Sequence, residues 1–277
     1  MAAEDGRAIR TLGDAQAWLE GLVHVERSPE IPYARLGLEP VRRLLARVGD
    51  PHTSLSVVHV AGSKGKGSTA LLVEALLGAL GVRVGTFTSP HLERWTERFR
   101  IGGHEVPGEK LAAAVERLRP HAEALRAEDP ARAPTFFDAT TAAAFLLFGE
   151  AGVGCAVLEV GLGGRLDSTN VVVPTVACIT TIELEHTDKL GATLAAIASE
   201  KAGIVKPGRP LVVGALPPEA ESVVLERADE LDAPVSCLGR DFTVTVRSAS
   251  LDGLALELRD GALCVEATLP VLGTSQA

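Results

Sequence analysis

The stretch Val58–Thr69, VHVAGSKGKGST, sets three glycines and two lysines directly after an apolar run. A regular Walker A loop reads G-x-x-x-x-G-K-[ST]: its backbone N–H groups cradle phosphates, its lysine meets the β- and γ-phosphates, and its hydroxyl serves magnesium. Here Gly65-Lys66 supplies the glycine and the lysine. Val60 stands five before Gly65, however, and Gly67 follows the lysine. A strand before the loop and a helix after it would still surround a phosphate with backbone N–H groups and a helix N-terminus. The residues expected around the phosphates of a nucleotide are Ser63, Lys64, Gly65, Lys66, Gly67 and Ser68. A flexible glycine turn is the bland alternative, and the strand–turn–helix context weighs against it. Ser68 or Thr69 can reach a metal, but the inserted glycine directs the search for ligands elsewhere.

Ligands of open α/β sheets bind beyond the carboxyl ends of the strands. One apolar run ends in TSPHL, offering Ser89 and His91. Another runs into LEVGLGGRLDSTNVV, offering Glu159, Arg165 and Asp167, and a third ends in IELEHTDKLG, offering Glu185, His186 and Asp188. Each is weak alone, since a strand-end histidine is more often structural and Glu159 can be half of an ordinary ion pair. Together, a hydroxyl, a carboxylate and an imidazole beyond one sheet edge compose a magnesium site.

Lys201 lies on the apolar stripe of TLAAIASEKAGI, with Leu194, Ile197 and Ile204. Burial would lower its pKa, and a neutral amine can take up CO2 as a carbamate, which arginine cannot. Pattern alone favours a lysine that snorkels to solvent. The chain otherwise prefers arginine, with 21 against 6 lysines, so Lys66 and Lys201 stand out.

The elements that would position these residues alternate. Strands are expected at Ser56–Ala61, Val82–Thr88, Cys155–Val160, Thr175–Ile182, Leu211–Ala215 and Pro234–Leu238. Helices are expected at Lys66–Leu80, where Leu72, Leu76 and Leu80 recur every four residues, and at Glu109–Leu118, Asp138–Phe148, Thr193–Ala202 and Pro218–Leu231. Glu128–Ala133 reads as a loop insertion. This order predicts an α/β fold: a P-loop three-layer sandwich with a mostly parallel sheet and helices on both faces. After Arg240 three short β-runs with turns at Asp252-Gly253 and Asp260-Gly261 predict a small antiparallel hairpin element at 242–269.

The 277 residues carry a net charge of −9 and a pI near 5.3, which disfavours a nucleic-acid backbone as partner. Four dispersed cysteines, Cys155, Cys178, Cys237 and Cys264, form no C-x-x-C pair and read as thiols in a reducing compartment. No apolar run reaches membrane-spanning length, and the N-terminus lacks a signal-peptide pattern. A cytoplasmic monomer without membrane or nucleic-acid partners is expected.

Five segments carry a resemblance: HVAGSKGKGST, TSPHLERWTERFRI, FFDATTAAAF, LEVGLGGRLDSTNVV and EHTDKLGATLAAIASEKAGIVKPG. In order and spacing they resemble the ATPase domain of dihydrofolate synthase/folylpolyglutamate synthase, a Mur-type ATP-dependent amide ligase family, over roughly residues 10–277. The family's loop is short and carries the extra glycine. The resemblance implies magnesium on Ser89, Glu159 and His186, and a carbamylated Lys201 (N6-carboxylysine), with Lys66, Lys201 and His186 in catalytic roles. It also implies pterin contacts near Tyr33, Ala34, Arg35 and Leu36, on Phe136, Phe137 and Asp138, and near Leu166. Lys64 stands where many members have asparagine. The implied reaction attaches L-glutamate to dihydropteroate or a folate through an acyl phosphate, with ATP and Mg2+. Residues 1–270 would form the ATP-binding domain and 271–277 a stub before a glutamate-ligase domain, leaving the chain inactive alone. Another Mur-type ligase, or a non-catalytic ATP- or pterin-binding remnant, is the alternative.

Overall fold

The computed structural model describes residues 8–25, 33 and 36–271. Two helices come first, α1 (Leu12–Glu20) and α2 (Glu39–Arg47); the sequence reading found neither. Then β1 (Ser56–Ala61) leads through the glycine loop into α3 (Lys66–Ala79) and β2 (Val84–Phe87). A short antiparallel pair, β3 (Phe99–Ile101) and β4 (His104–Glu105), precedes α4 (Gly108–Glu128) and α5 (Phe136–Ala151). Next come β5 (Cys155–Glu159), β6 (Val176–Ile179), α6 (Thr187–Leu190), α7 (Leu194–Ala202), β7 (Leu211–Val213), α8 (Pro218–Glu230) and β8 (Val235–Cys237). The strands β9 (Phe242–Ser250), β10 (Gly253–Asp260) and β11 (Leu263–Leu269) form a separate antiparallel sheet, as expected after Arg240.

The main sheet runs β4-β3-β2-β5-β1-β6-β7-β8, parallel from β2 through β8, with β3 and β4 as an antiparallel edge. The chain turns one way from β1 to β2 and the other way from β6 to β7. The carboxyl end of β1, between β5 and β6, is therefore the switch point where a ligand crevice opens.

Register assigns the two faces. Val57, Ala61, Ala156, Leu158, Ala177, Ile179, Leu211 and Val213 share one face, buried beneath α1, α2, α4, α5, α7 and α8. The opposite face, with Val58, Val60, Val84 and Val157, carries α3 alone among the described helices. The α/β sandwich expected from the alternation is the observed fold, with its helices distributed unevenly.

Two helices depart from their sequence signals. The leucines that mark α3 turn outward: Leu76 is 66% and Leu80 78% exposed, while Ala70, Val73, Glu74 and Leu77 meet the sheet side. Helix α4 runs ten residues beyond Leu118 despite Pro120. Leu111, Val115, Leu118, Ala122 and Leu125 bury one continuous face, which offsets the backbone hydrogen bond that proline removes. Glu128 thus ends a helix, and Pro130–Arg132 is a 3-10 turn within the expected insertion.

Candidate functional site

The glycine loop is held by the end of β6. The Ser63 N–H donates to the Thr181 carbonyl (2.8 Å), the Lys64 N–H to Thr181 Oγ1 (2.9 Å), and the Thr180 hydroxyl to the Lys64 carbonyl (2.6 Å). Ser63 Oγ accepts the Glu183 N–H at 2.9 Å. A Cβ on Gly62 would lie 1.9 Å from Thr180 Oγ1, and Gly62 has φ +148°, so only glycine fits. Gly65 caps α3 in the left-handed region, at φ +79°. The Lys66 ammonium reaches the Ser63 carbonyl at 3.1 Å, and exposed Lys64 pairs with Glu183 at 2.7 Å. Gly67 and Ser68 lie in the first turn of α3.

The carboxylate of Glu159, at the end of β5, points toward this turn. A Cβ on Gly67 would stand 3.2 Å from Glu159 Oε2, so the extra glycine admits the acid to the start of the helix. Glu159 is 5% exposed, and burial pushes its pKa up to about 6, opposed by the Ser89 N–H, which donates to Oε2 at 3.0 Å, and by the Lys66 charge. Ser89 and Glu159 are thus neighbours. His186 is exposed and caps the short α6 at φ +44°, with no hydrogen bond to either among the described residues. No three His, Cys, Asp or Glu side chains converge as a metal cluster among the described residues. The Glu159 carboxylate, a hard-oxygen donor beside the space Gly67 leaves, suits magnesium, and Ser89 is next to it through its backbone N–H.

Lys201 does not snorkel. It is 2% exposed, and its ammonium donates to the Gly62 carbonyl and to Glu185 Oε1, both at 2.8 Å. Helix α7 starts at the Thr193 cap and buries Ile197, Ala198 and Lys201 together. Desolvation lowers the amine's pKa, while Glu185 opposes the shift. Lys201 therefore sits beneath the phosphate loop, on the stripe its spacing marked.

An apolar pocket forms between the start of α5 and the loop that follows β5. Leu36, Phe136, Phe137 and Leu166 line it, with Leu162, Asp167 and Ser168 from the β5–β6 loop. Asp138 is spent inside the wall: its Oδ2 completes a capping box with Thr135, and its Oδ1 accepts the Ser168 hydroxyl at 2.7 Å. The Tyr33 hydroxyl donates to Glu200 Oε2 at 2.9 Å. Ala34 and Arg35 lie outside the described residues.

Sequence reasoning missed His24 and Arg98. His24 stacks on Phe136 with centroids 4.0 Å apart and lines the pocket. Arg98 is buried, with its guanidinium 5.3 Å from the Trp95 ring and 5.6 Å from that of Phe136, and its Nε donates to His91 Nδ1 at 2.9 Å. Arg98 lies within the quoted TERFRI segment. No spacing signal ties it to Phe136, 38 positions away in the sequence.

A glycine loop at a sheet switch point, backed by a buried acid and a buried lysine, defines an α/β domain of the P-loop type. The model of the Mur ligase middle domain matches residues 60–221, and the chain belongs to that family. The resemblance to dihydrofolate synthase/folylpolyglutamate synthase is borne out. The Bacillus subtilis protein of that name is 40% identical over 226 residues, covering 81% of this chain and 51% of its own length. A Thermotoga maritima folylpolyglutamate synthase superposes with a TM-score of 0.86 at 34% identity, over 96% of this chain and 58% of that one. A folylpolyglutamate synthase complex with AMPPCP and folate superposes at 0.87 and 32% identity, over 96% of this chain and 63% of that one. The chain thus spans about half to three fifths of the length of these relatives.

Proposed function

We propose that this chain supplies the nucleotide and acceptor sites of an ATP-dependent ligase that joins L-glutamate to dihydropteroate or to a folate. The observation that carries this reading is the convergence of the phosphate loop, Glu159 and Lys201 at one crevice, with an aromatic pocket alongside. Relatives named for dihydrofolate and folylpolyglutamate synthesis, one of them bound to AMPPCP and folate, support it. We take the partners to be small molecules, without membrane or nucleic acid; no helix among the described residues is long and apolar enough to cross a membrane.

In this reading the pterin ring enters between Phe136, Phe137 and Leu166, and the acceptor carboxylate points toward Glu159. ATP lies along Ser63–Ser68 with its γ-phosphate at Lys66. The acceptor carboxylate oxygen attacks the γ-phosphorus, the bond to the β-γ bridging oxygen breaks, and ADP leaves. The glutamate amine then attacks the acyl carbon and expels phosphate, with loss of a proton from nitrogen. The chain's own part is positioning and charge: Lys66 faces the transferring group, and the α3 N-terminus offers backbone N–H groups. Ser89, Glu159 and His186 would hold magnesium, which when bound neutralises phosphate charge.

Lys201 completes the site as a carbamate. Its neutral amine attacks CO2, an N–C bond forms as one C=O π bond opens to leave the charge on oxygen, and the nitrogen's proton leaves toward Glu185, 2.8 Å away. Labelled bicarbonate and carbon-13 NMR should show a carbamate resonance that Lys201→Arg lacks.

The overall reading is tested by titrating the chain with AMPPCP and with folic acid. Binding of both, with folic acid lost in Phe136→Ala, is the expected result. A chain that binds neither would sink the proposal.

A further inference from the structure

The loop between β5 and β6 is joined to α7 at two points. At the first, the Arg165 N–H donates to the Glu200 carbonyl at 2.8 Å and its guanidinium grips the Glu200 carboxylate, with Nη2 at 2.7 Å from Oε1. At the second, Asn170 Nδ2 donates to the carbonyls of Arg165 (3.0 Å) and Gly203 (3.1 Å), while its Oδ1 accepts Lys206 Nζ at 2.7 Å. Between these points the two backbones touch. A Cβ on Gly164 would lie 2.9 Å from the carbonyl oxygens of Glu200 and Lys201, and one on Gly203 would lie 2.4 Å from Arg165 Cβ. Segments this close cannot slide past one another without a clash.

This seam connects two tasks. The loop presents Leu162, Leu166, Asp167 and Ser168 to the aromatic pocket. Helix α7 presents Lys201 to the Gly62 carbonyl, at the start of the phosphate loop. We infer that Asn170 is a positioning residue that couples occupancy of the pocket to nucleotide binding, through the rigid pair of loop and α7. Asn170 is 4% exposed and spends both donors and its acceptor on three separate segments: the loop, the end of α7 and the turn that follows. Lys206 also donates to the Gly203 carbonyl at 3.2 Å and so fixes which way the amide faces. A ligand that shifts the loop shifts α7 with it, and the Lys201 amine moves against the phosphate loop. The inference rests on the reading of the pocket as the acceptor site.

The test is calorimetry on the full 277-residue chain, measuring AMPPCP affinity with and without saturating folic acid. The wild-type chain should show coupling of at least roughly fivefold. Asn170→Ala should bring it to within about twofold of none, with AMPPCP affinity in the absence of folic acid nearly unchanged. A merely structural role would weaken each ligand and leave their ratio intact. Lys206→Met keeps the asparagine and should lose part of the coupling; it serves if Asn170→Ala does not fold. Independent binding of the two ligands in the wild-type chain, or full coupling kept in the variants, would overturn the inference. If folic acid does not bind the wild-type chain, the acceptor reading fails, and amide hydrogen exchange then reads the seam alone. Lys206→Met must raise exchange across residues 198–203 as well as 161–170, and unchanged protection in α7 would overturn the seam.

Discussion

The two walls of the crevice are built on opposite terms. On the phosphate side, ionisable groups are held in uncomfortable states: burial raises the pKa of Glu159 and lowers that of Lys201. On the pocket side, the buried Asp167 and Thr169 are matched. Asp167 Oδ2 accepts the N–H groups of Gly161 (3.0 Å) and Leu162 (2.9 Å), and its Oδ1 accepts the N–H (2.9 Å) and hydroxyl (2.5 Å) of Thr169. Thr169 Oγ1 in turn accepts from His59 Nε2 at 2.8 Å. Burial lowers the His59 pKa to about 3, so the imidazole stays neutral. The contrast shows a site with one wall prepared to receive charge and another whose internal hydrogen bonds make it move as one piece.

Substitutions should therefore separate stability from binding. The largest effect is expected at the matched wall: Asp167→Ala removes the acceptor for four hydrogen bonds and should cost about 3 kcal/mol or more in denaturant unfolding. A loss below about 1 kcal/mol would mean the wall is not held together in this way. Next comes Lys66→Ala, which should weaken AMPPCP binding roughly 100-fold while leaving unfolding nearly unchanged. Equal losses of stability and affinity would erase the contrast between the walls.

Glu159→Gln and His186→Ala should each weaken magnesium-dependent AMPPCP binding about tenfold, read as the difference between titrations with magnesium and with EDTA. The same affinity as wild type in both variants would remove these residues from the metal site. Glu159→Gln should also unfold no earlier than the wild-type chain at pH 8, because it deletes a buried charge.

The smallest effect is a pH slope. Burial lowers the Lys206 pKa from 10.5 to about 8 in the folded chain. Between these values the unfolded chain binds the extra proton, so this lysine makes stability rise with pH. Below pH 8 both states are protonated and its contribution is flat. Unfolding free energies of wild type minus Lys206→Met should thus climb from pH 8 toward 10.5. A flat difference would show the amine is not desolvated.

The alternating β-α order, the loop at Gly65–Ser68 and the separate hairpins after Arg240 are legible in the order of amino acids. These are local signals: glycines where a turn needs positive φ, apolar runs at strand spacing, and Asp-Gly at both hairpin turns. Lys201 is marked there too, because a lysine on an apolar stripe is visible in one dimension. Tertiary structure decided the direction of that lysine, since snorkelling and burial share one pattern and only the Gly62 carbonyl and Glu185 distinguish them. It likewise turned Leu76 and Leu80 of α3 to solvent, because four-residue spacing fixes a shared face but not what that face meets. His24 comes to the pocket, Arg98 to Phe136 and Asn170 to α7 by contacts across many residues of chain. Such pairings follow from sheet order and close backbone approach, which periodicity within one element does not encode.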